Sequence, residues 1–262
     1  DYTTASNSTK VTASTKYYYE NSPYLNKVSF VSAGTAAGKY TVEYTAYGED
    51  GGSFTGKVSI TLVAGTSTTA PVTGGSSKYF SDVKGDYSWA VSYVDTLYSA
   101  GIIKGSTGAD GKVTYNPASK ITRGDFMTLL FRALNLPLST AAGNFSDVAA
   151  GTSYYDAIAS AKAMGVAQGS ENKFYPNSTI TREDAMVLTQ RAMSASGNSV
   201  GIGSDGDLSS YSDKASVSSY AKDAISALIK AGIITGGSDS KLHPKDNITR
   251  VEAAAMIYRI KY

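Results

Sequence analysis

Near the start of the chain, apolar and polar residues alternate. Across residues 39–47, Tyr40, Val42, Tyr44 and Ala46 fall on one face of an extended segment, and Thr41, Glu43 and Thr45 on the other. Glu49-Asp50-Gly51-Gly52 follows as a turn signal, after which Phe54, Val58, Ile60 and Leu62 resume the alternation. This predicts a β-hairpin with one buried face, preceded by strand candidates at 9–15 and 27–31. Residues 64–77 carry Gly, Ser, Thr and one Pro without charge or periodicity, so 64–78 reads as a linker. It offers nothing suited to docking, and the β segment is expected to move relative to the repeats beyond it. From Tyr79 on, the period changes. Phe126, Leu129, Leu130 and Ala133 recur at helical spacing, as do Ala185 and Leu188, and Ala253, Met256 and Ile257. The predicted fold class is mainly α, with a small N-terminal all-β segment over 1–63.

The helical region repeats itself. Phe80-Ser81-Asp82-Val83 returns as Phe145-Ser146-Asp147-Val148 and more loosely as Tyr211-Ser212-Asp213, the aspartates being 65 and 66 residues apart. Each copy continues with a helical stretch ending in Gly101-Ile102, Gly165-Val166 or Gly232-Ile233. A second glycine comes four residues later (Gly105, Gly169, Gly236), then a proline loop at Asn116-Pro117, Tyr175-Pro176 and His243-Pro244. Ile121-Thr122-Arg123, Ile180-Thr181-Arg182 and Ile248-Thr249-Arg250 close the series. Three copies of one two-helix unit are implied, each too small to bury both helix faces alone.

This order of motifs resembles the S-layer homology repeat, over residue 79 to about residue 260. The resemblance implies three repeats, 79–140, 141–208 and 209–262, packed as a pseudo-threefold helical unit. It implies binding of a secondary cell wall polysaccharide, often capped by a pyruvylated amino sugar, in the grooves between repeats. The expected role is non-covalent anchoring of an S-layer or other surface protein at the bacterial cell wall, with self-association in a surface layer as a further partner. The N-terminal hairpin is similar to the last strands of cadherin-like or immunoglobulin-like modules. The family's usual Ala-Glu after Ile-Thr-Arg is here Gly124-Asp125, Glu183-Asp184 and Val251-Glu252: the acid is kept and the alanine is not.

Taken as chemistry, Thr122 with Asp125, Thr181 with Asp184 and Thr249 with Glu252 each form a capping-box pattern at the start of a second helix. Arg123, Arg182 and Arg250 fall at the first helical position. A cation there is unfavourable by about 0.3–1 kcal/mol, yet it recurs in every repeat. Either each arginine pairs with a carboxylate, such as the Ser-Asp aspartate of a neighbouring repeat, or it binds an external anion. Free N–H groups at the helix start would assist the second role, and the guanidinium fork matches a carboxylate. On that reading the fold survives loss of all three arginines, because the caps remain.

The resemblance brings further residues into the candidate glycan-binding set. Trp89, Ser153 and Tyr220 share one slot, twelve residues before the glycine of Gly-Ile/Val. The middle repeat lacks an aromatic there, and Tyr154, the next residue, is its substitute. An aromatic ring stacks on a sugar face or packs in a core, and both readings stand. Gly105, Gly169 and Gly236 either line a groove or permit a close backbone approach. Lys104 precedes the first of them, where the other repeats have Gln168 and Thr235, so the grooves are expected to differ and those drawing on the middle repeat to bind more weakly. Asp82, Asp147 and Asp213 complete the set, with capping or internal pairing as the competing explanation.

Charge and composition narrow the rest. The formal net charge is +2, with 6 basic and 5 acidic residues before Tyr79 and 18 and 17 from there on; neither part is basic enough to suggest a nucleic-acid partner. There is no cysteine and one histidine, which leaves no thiolate chemistry, no metal site and no cofactor in view. No segment suggests membrane insertion. The chain begins at Asp1 and reads as part of a larger exported protein. A rival reading is a protein–protein assembly module of a surface array. Another is a glycoside hydrolase, but no carboxylate pair is marked by a motif, and the chain is read as non-enzymatic.

Overall fold

A computed structural model of the chain describes residues 75–139, 143–237 and 239–262 and, before them, the backbone of three strands. The chain divides into two units, Asp1–Thr69 and Ala70–Tyr262. In the first, β1 (Thr3–Thr4), β2 (Gly38–Tyr47) and β3 (Ser53–Leu62) form an antiparallel sheet in the order β1-β2-β3. The predicted hairpin is present, with Tyr40 opposite Ile60 and Val42 opposite Val58. The pairing of β1 onto Val42 and Glu43 had no signal in two threonines. The strand candidates 9–15 and 27–31, the turn 49–52 and the hairpin's buried face lie outside the described residues.

The second unit holds α1 (Val91–Ser99), α2 (Arg123–Leu134), α3 (Tyr155–Ala163), α4 (Arg182–Ala195), α5 (Lys222–Lys230) and α6 (Arg250–Lys261), with a short hairpin of β4 (Ser106–Thr107) and β5 (Val113–Thr114) in the first repeat. Each repeat contributes a first helix, a glycine stop, a proline loop and a second helix. The stops are left-handed, with φ of +71°, +71° and +72° at Gly101, Gly165 and Gly232, the helix-ending conformation that costs glycine least.

The repeats close on each other cyclically. The second helix of one packs against the first helix of the next: α2 on α3, α4 on α5, and α6 back on α1. At the centre the three Ile-Thr-Arg isoleucines exchange backbone hydrogen bonds around a ring. The Ile180 N–H donates to the Ile121 carbonyl (3.2 Å), Ile248 to Ile180 (3.0 Å) and Ile121 to Ile248 (3.2 Å). All three side chains are buried, as are Phe126, Met127, Leu130, Met186, Ala253 and Ile257 on the second helices. The predicted apolar stripes thus face one shared core, and this is a pseudo-threefold, mainly helical unit.

Two local expectations need correction. Thr122, Thr181 and Thr249 each cap their helix, accepting from the N–H three residues on, but only Glu252 reaches back to its threonine N–H (2.7 Å) and completes the box. Asp125 and Asp184 do not close it; the Asp184 oxygens accept from Arg123 and Tyr220 instead. The end of the predicted linker is also docked. The Ser77 N–H donates to the Val83 carbonyl (2.8 Å), its hydroxyl donates to Asp95, and the Lys78 N–H donates to the other Asp95 oxygen (2.9 Å). Linker residues 64–74 lie outside the described residues.

Gly105, Gly169 and Gly236 have a shared steric cause. A Cβ on them would lie 2.5 Å, 2.5 Å and 2.4 Å from a ring carbon of Phe80, Phe145 and Tyr211, the aromatics that open each repeat. Backbone oxygens of Thr114, Lys173 and Lys241 close the other side. Substituting Gly105 or Gly236 with alanine should therefore cost about 1–3 kcal/mol through overpacking. A melting temperature equal to the parent's in both variants would show that the ring can yield instead.

Candidate functional site

The three inter-repeat interfaces share one plan, set by the start of each second helix. There the first two amides are consumed by the proline loop of the next repeat. Arg123 and Gly124 donate to Ser178 and Pro176 (2.9 Å each), Arg182 and Glu183 to Asp246 and Pro244 (2.9 and 3.0 Å), and Arg250 and Val251 to Ser119 and Pro117 (2.8 and 3.1 Å). The third amide goes to the threonine cap. The helix starts are thus closed as anion sites, contrary to the expectation of free N–H groups, because their donors are spent on joining the repeats.

The arginines take the same path across each interface. Arg123 donates Nε to the Phe174 carbonyl (3.0 Å) and Nη1 to Asp184 Oδ2 (2.8 Å). Arg182 donates Nε to the Leu242 carbonyl (2.8 Å) and Nη1 to Glu252 Oε1 (3.3 Å). The carboxylate partner is the capping-box acid of the next repeat, rather than the Ser-Asp aspartate that the sequence suggested. Arg123 and Arg182 are only 19% and 14% exposed, so these pairs are structural. Arg250 donates Nε to the Tyr115 carbonyl (2.8 Å) and Nη2 to the Lys104 carbonyl (3.3 Å). Among the described residues it has no carboxylate partner. Asp125, which by symmetry would supply one, stands exposed.

Aromatic rings lie under two of the guanidinium groups, with Arg250 4.7 Å from the Tyr115 ring and Arg123 5.0 Å from Phe174. Sequence reading missed these rings. The signal was there, in an aromatic just before Asn116-Pro117 and Tyr175-Pro176 that Leu242 breaks in the third copy. Tyr115 is buried and its hydroxyl donates to the Arg250 carbonyl (2.9 Å). Burial pushes that phenol up to about 12, against the pull of the Arg250 charge.

Asp82, Asp147 and Asp213 face inward. Each carboxylate accepts two successive N–H groups of its own repeat: Tyr115 and Asn116 (2.8 and 2.7 Å), Phe174 and Tyr175 (2.8 and 2.7 Å), Leu242 and His243 (2.9 and 2.8 Å). Of the two explanations for these aspartates, internal pairing is the one realised. Burial alone would raise the Asp147 carboxyl, and its two N–H donors hold it below the usual range instead. The acceptor pairs stabilise the left-handed turn at Asn116, Tyr175 and His243 (φ +58°, +58° and +51°).

The aromatic slot differs at each interface. Trp89 is half-buried and meets Tyr93 edge-on at 6.2 Å; Tyr93 lies 4.9 Å from Tyr258, across the join between the first and third repeats. Tyr154 does replace Ser153: its ring covers Gly124, where a Cβ would lie 2.7 Å from Cδ1, and its hydroxyl donates to Asn177 (2.9 Å). Tyr220 donates toward Glu183 (3.1 Å) and Asp184 (2.8 Å). Burial first, then these carboxylates, raise its phenol.

In the sequence Glu183 stands out only as a departure from the family pattern. Its side chain is 4% exposed. It accepts from the Ser218 N–H and hydroxyl (3.0 Å each), the Tyr220 hydroxyl and the Lys245 ammonium (2.5 Å). Burial works against its charge, but these donors hold the carboxyl below the usual range. Lys104, in contrast, is exposed, and its ammonium has no partner among the described residues.

Comparison with known proteins agrees with this architecture. The S-layer homology domain family matches at residues 79–127, 144–186 and 210–254, and the chain belongs to that family. These domains are non-catalytic anchoring modules. The chain is 34% identical over 183 residues to an amylopullulanase of Thermoanaerobacterium thermosulfurigenes, covering 69% of this chain and 9% of that protein. It is 34% identical over 181 residues to exoglucanase XynX of Acetivibrio thermocellus (68% and 16%). A surface-layer 125 kDa protein of Lysinibacillus sphaericus is 32% identical over 175 residues (65% and 14%). The chain therefore spans less than a fifth of each of these relatives. Among the described residues no helix is long and apolar enough to cross a membrane.

Proposed function

We propose that this chain anchors a surface protein to the bacterial cell wall by holding an anionic polysaccharide, of the pyruvylated kind, mainly in the groove between the third and first repeats. The observation that carries the reading is Arg250. Arg123 and Arg182 spend their charge on Asp184 and Glu252, but Arg250 has no carboxylate among the described residues and lies beside Lys104, which is likewise unpaired. Two uncompensated cations on adjacent segments attract an anion, and a guanidinium holds a carboxylate by two parallel bonds. Trp89 at the same join supplies a ring for a sugar face. The paired grooves are weaker candidates on this account, and the glycines and aspartates shape the site without touching ligand. The β-rich segment is a spacer or part of the anchored protein, and self-association in a surface layer is compatible with both.

The test is binding of purified secondary cell wall polymer to Arg250→Ala, before and after mild acid removal of ketals. A hydrogen bond to a charged group contributes about 1.5–3 kcal/mol, so affinity should fall roughly ten- to a hundredfold. Arg250→Lys should recover part of it, because a point charge lacks the fork. A folded Arg250→Ala variant that binds like the parent would sink the proposal. Loss of binding without any dependence on the ketal would leave the groove but change its ligand.

A further inference from the structure

The interface between the second and third repeats contains a set of donors aimed at one point. The Ser218 N–H, the Ser218 hydroxyl, the Tyr220 hydroxyl and the Lys245 ammonium all come from the third repeat, and all converge on the Glu183 carboxylate of the second. At the other two interfaces this position is not charged on either side. Gly124 and Val251 stand for Glu183, and Asn177 and Ala118, each directly after its loop proline, stand for Lys245. Acid and base therefore appear together, in one groove only.

An ordinary salt bridge does not need this arrangement. A buried ion pair contributes little over a neutral packing of the same shape, because desolvation cancels most of the attraction. The neighbouring interfaces close with no ion pair at this position. A backbone N–H, two hydroxyls and an ammonium around a single carboxylate form instead the donor set of a carboxylate-binding site, here filled by a side chain of the same chain.

We infer that the groove between the second and third repeats is a latent carboxylate site plugged by Glu183, which silences it toward acidic sugars and leaves anion binding to the groove of Arg250. The plug itself follows from the donor geometry; its ligand class, a carboxylate-bearing sugar, rests on the function proposed above. In Glu183→Ala the Ser218 N–H and hydroxyl and the Lys245 ammonium lose their carboxylate acceptor; Tyr220 keeps its bond to Asp184, and Lys245, about half exposed, is left facing the groove with only the Ser218 hydroxyl as partner.

Calorimetry with the methyl glycoside of an N-acetylhexosamine carrying a 4,6-pyruvate ketal separates the two ideas. The parent should show one site, Glu183→Ala two, and Glu183→Ala with Arg250→Ala one. Adding Lys245→Ala to Glu183→Ala should abolish the gained site. Glu183→Gln, which keeps the volume and drops the charge, should gain the same site with lower affinity; it serves should the alanine variant lose its cooperative melt. A parent that binds while both Glu183 variants gain nothing overturns the plug and leaves the functional reading standing. A silent parent with a binding Glu183→Ala does the reverse. Silence in all of them removes both.

Discussion

Residues 79–138 alone should show no cooperative thermal transition, and their helical signal should be a small fraction of that of residues 75–262. The first repeat contains two helices of nine and twelve residues, lengths that are marginal in water without tertiary packing. Its share of the ring is made with other repeats. Ile121 donates to Ile248 and accepts from Ile180, and the Arg123 and Gly124 amides end in the second repeat. Cutting the fragment free leaves those donors without partners and exposes the faces of α1 and α2 that rest on α6 and α3. Circular dichroism melts of the fragment and of residues 75–262 provide the comparison. A sharp, reversible melt in the fragment would mean that each repeat carries its own core, and cyclic closure would be an assembly of finished parts.

Arg182→Ala and Arg123→Ala should each lower the melting temperature of the ring by roughly 5–10 °C. Each removes a mostly buried ion pair and a carbonyl hydrogen bond across an interface, a loss of about 2–3 kcal/mol, at about 2–4 °C per kcal/mol for a body of this size. Arg250→Ala should cost less, since it breaks no ion pair, while affecting ligand binding most. This reverses the expectation that the caps alone would carry the fold through loss of all three arginines; the triple variant should lose the ring. Unchanged melting in Arg182→Ala would show that the Leu242 and Glu252 contacts contribute nothing and that Arg182 is free for ligand.

Much of this was legible without coordinates. The threefold recurrence of aromatic-Ser-Asp, Gly-Ile/Val, the proline loop and Ile-Thr-Arg identified the repeats, because those residues act within a few positions of themselves. Thr122 caps its own helix, Gly101 ends its own helix, and Asp82 ties down a loop of its own repeat. The hairpin of β2 and β3 was visible for the same reason, as alternation about a turn. The full capping box is legible in one repeat only, since Asp184 accepts from Arg123 and Tyr220 of the neighbouring repeats instead, contacts that no local pattern shows.

What the sequence could not decide is which repeat each side chain would serve. Its own pattern presents Arg123, Arg182 and Arg250 as three equal residues at three equal helix starts. Cyclic closure makes them unequal, because the partner of each comes from the next repeat and the third link meets Asp125 out of reach. Glu183 is likewise one exchanged letter until closure brings Ser218, Tyr220 and Lys245 around it from 35 to 62 positions away. Local motifs encode elements that bond to themselves. The charge left in each groove depends on contacts between repeats, and those exist only once the ring has formed.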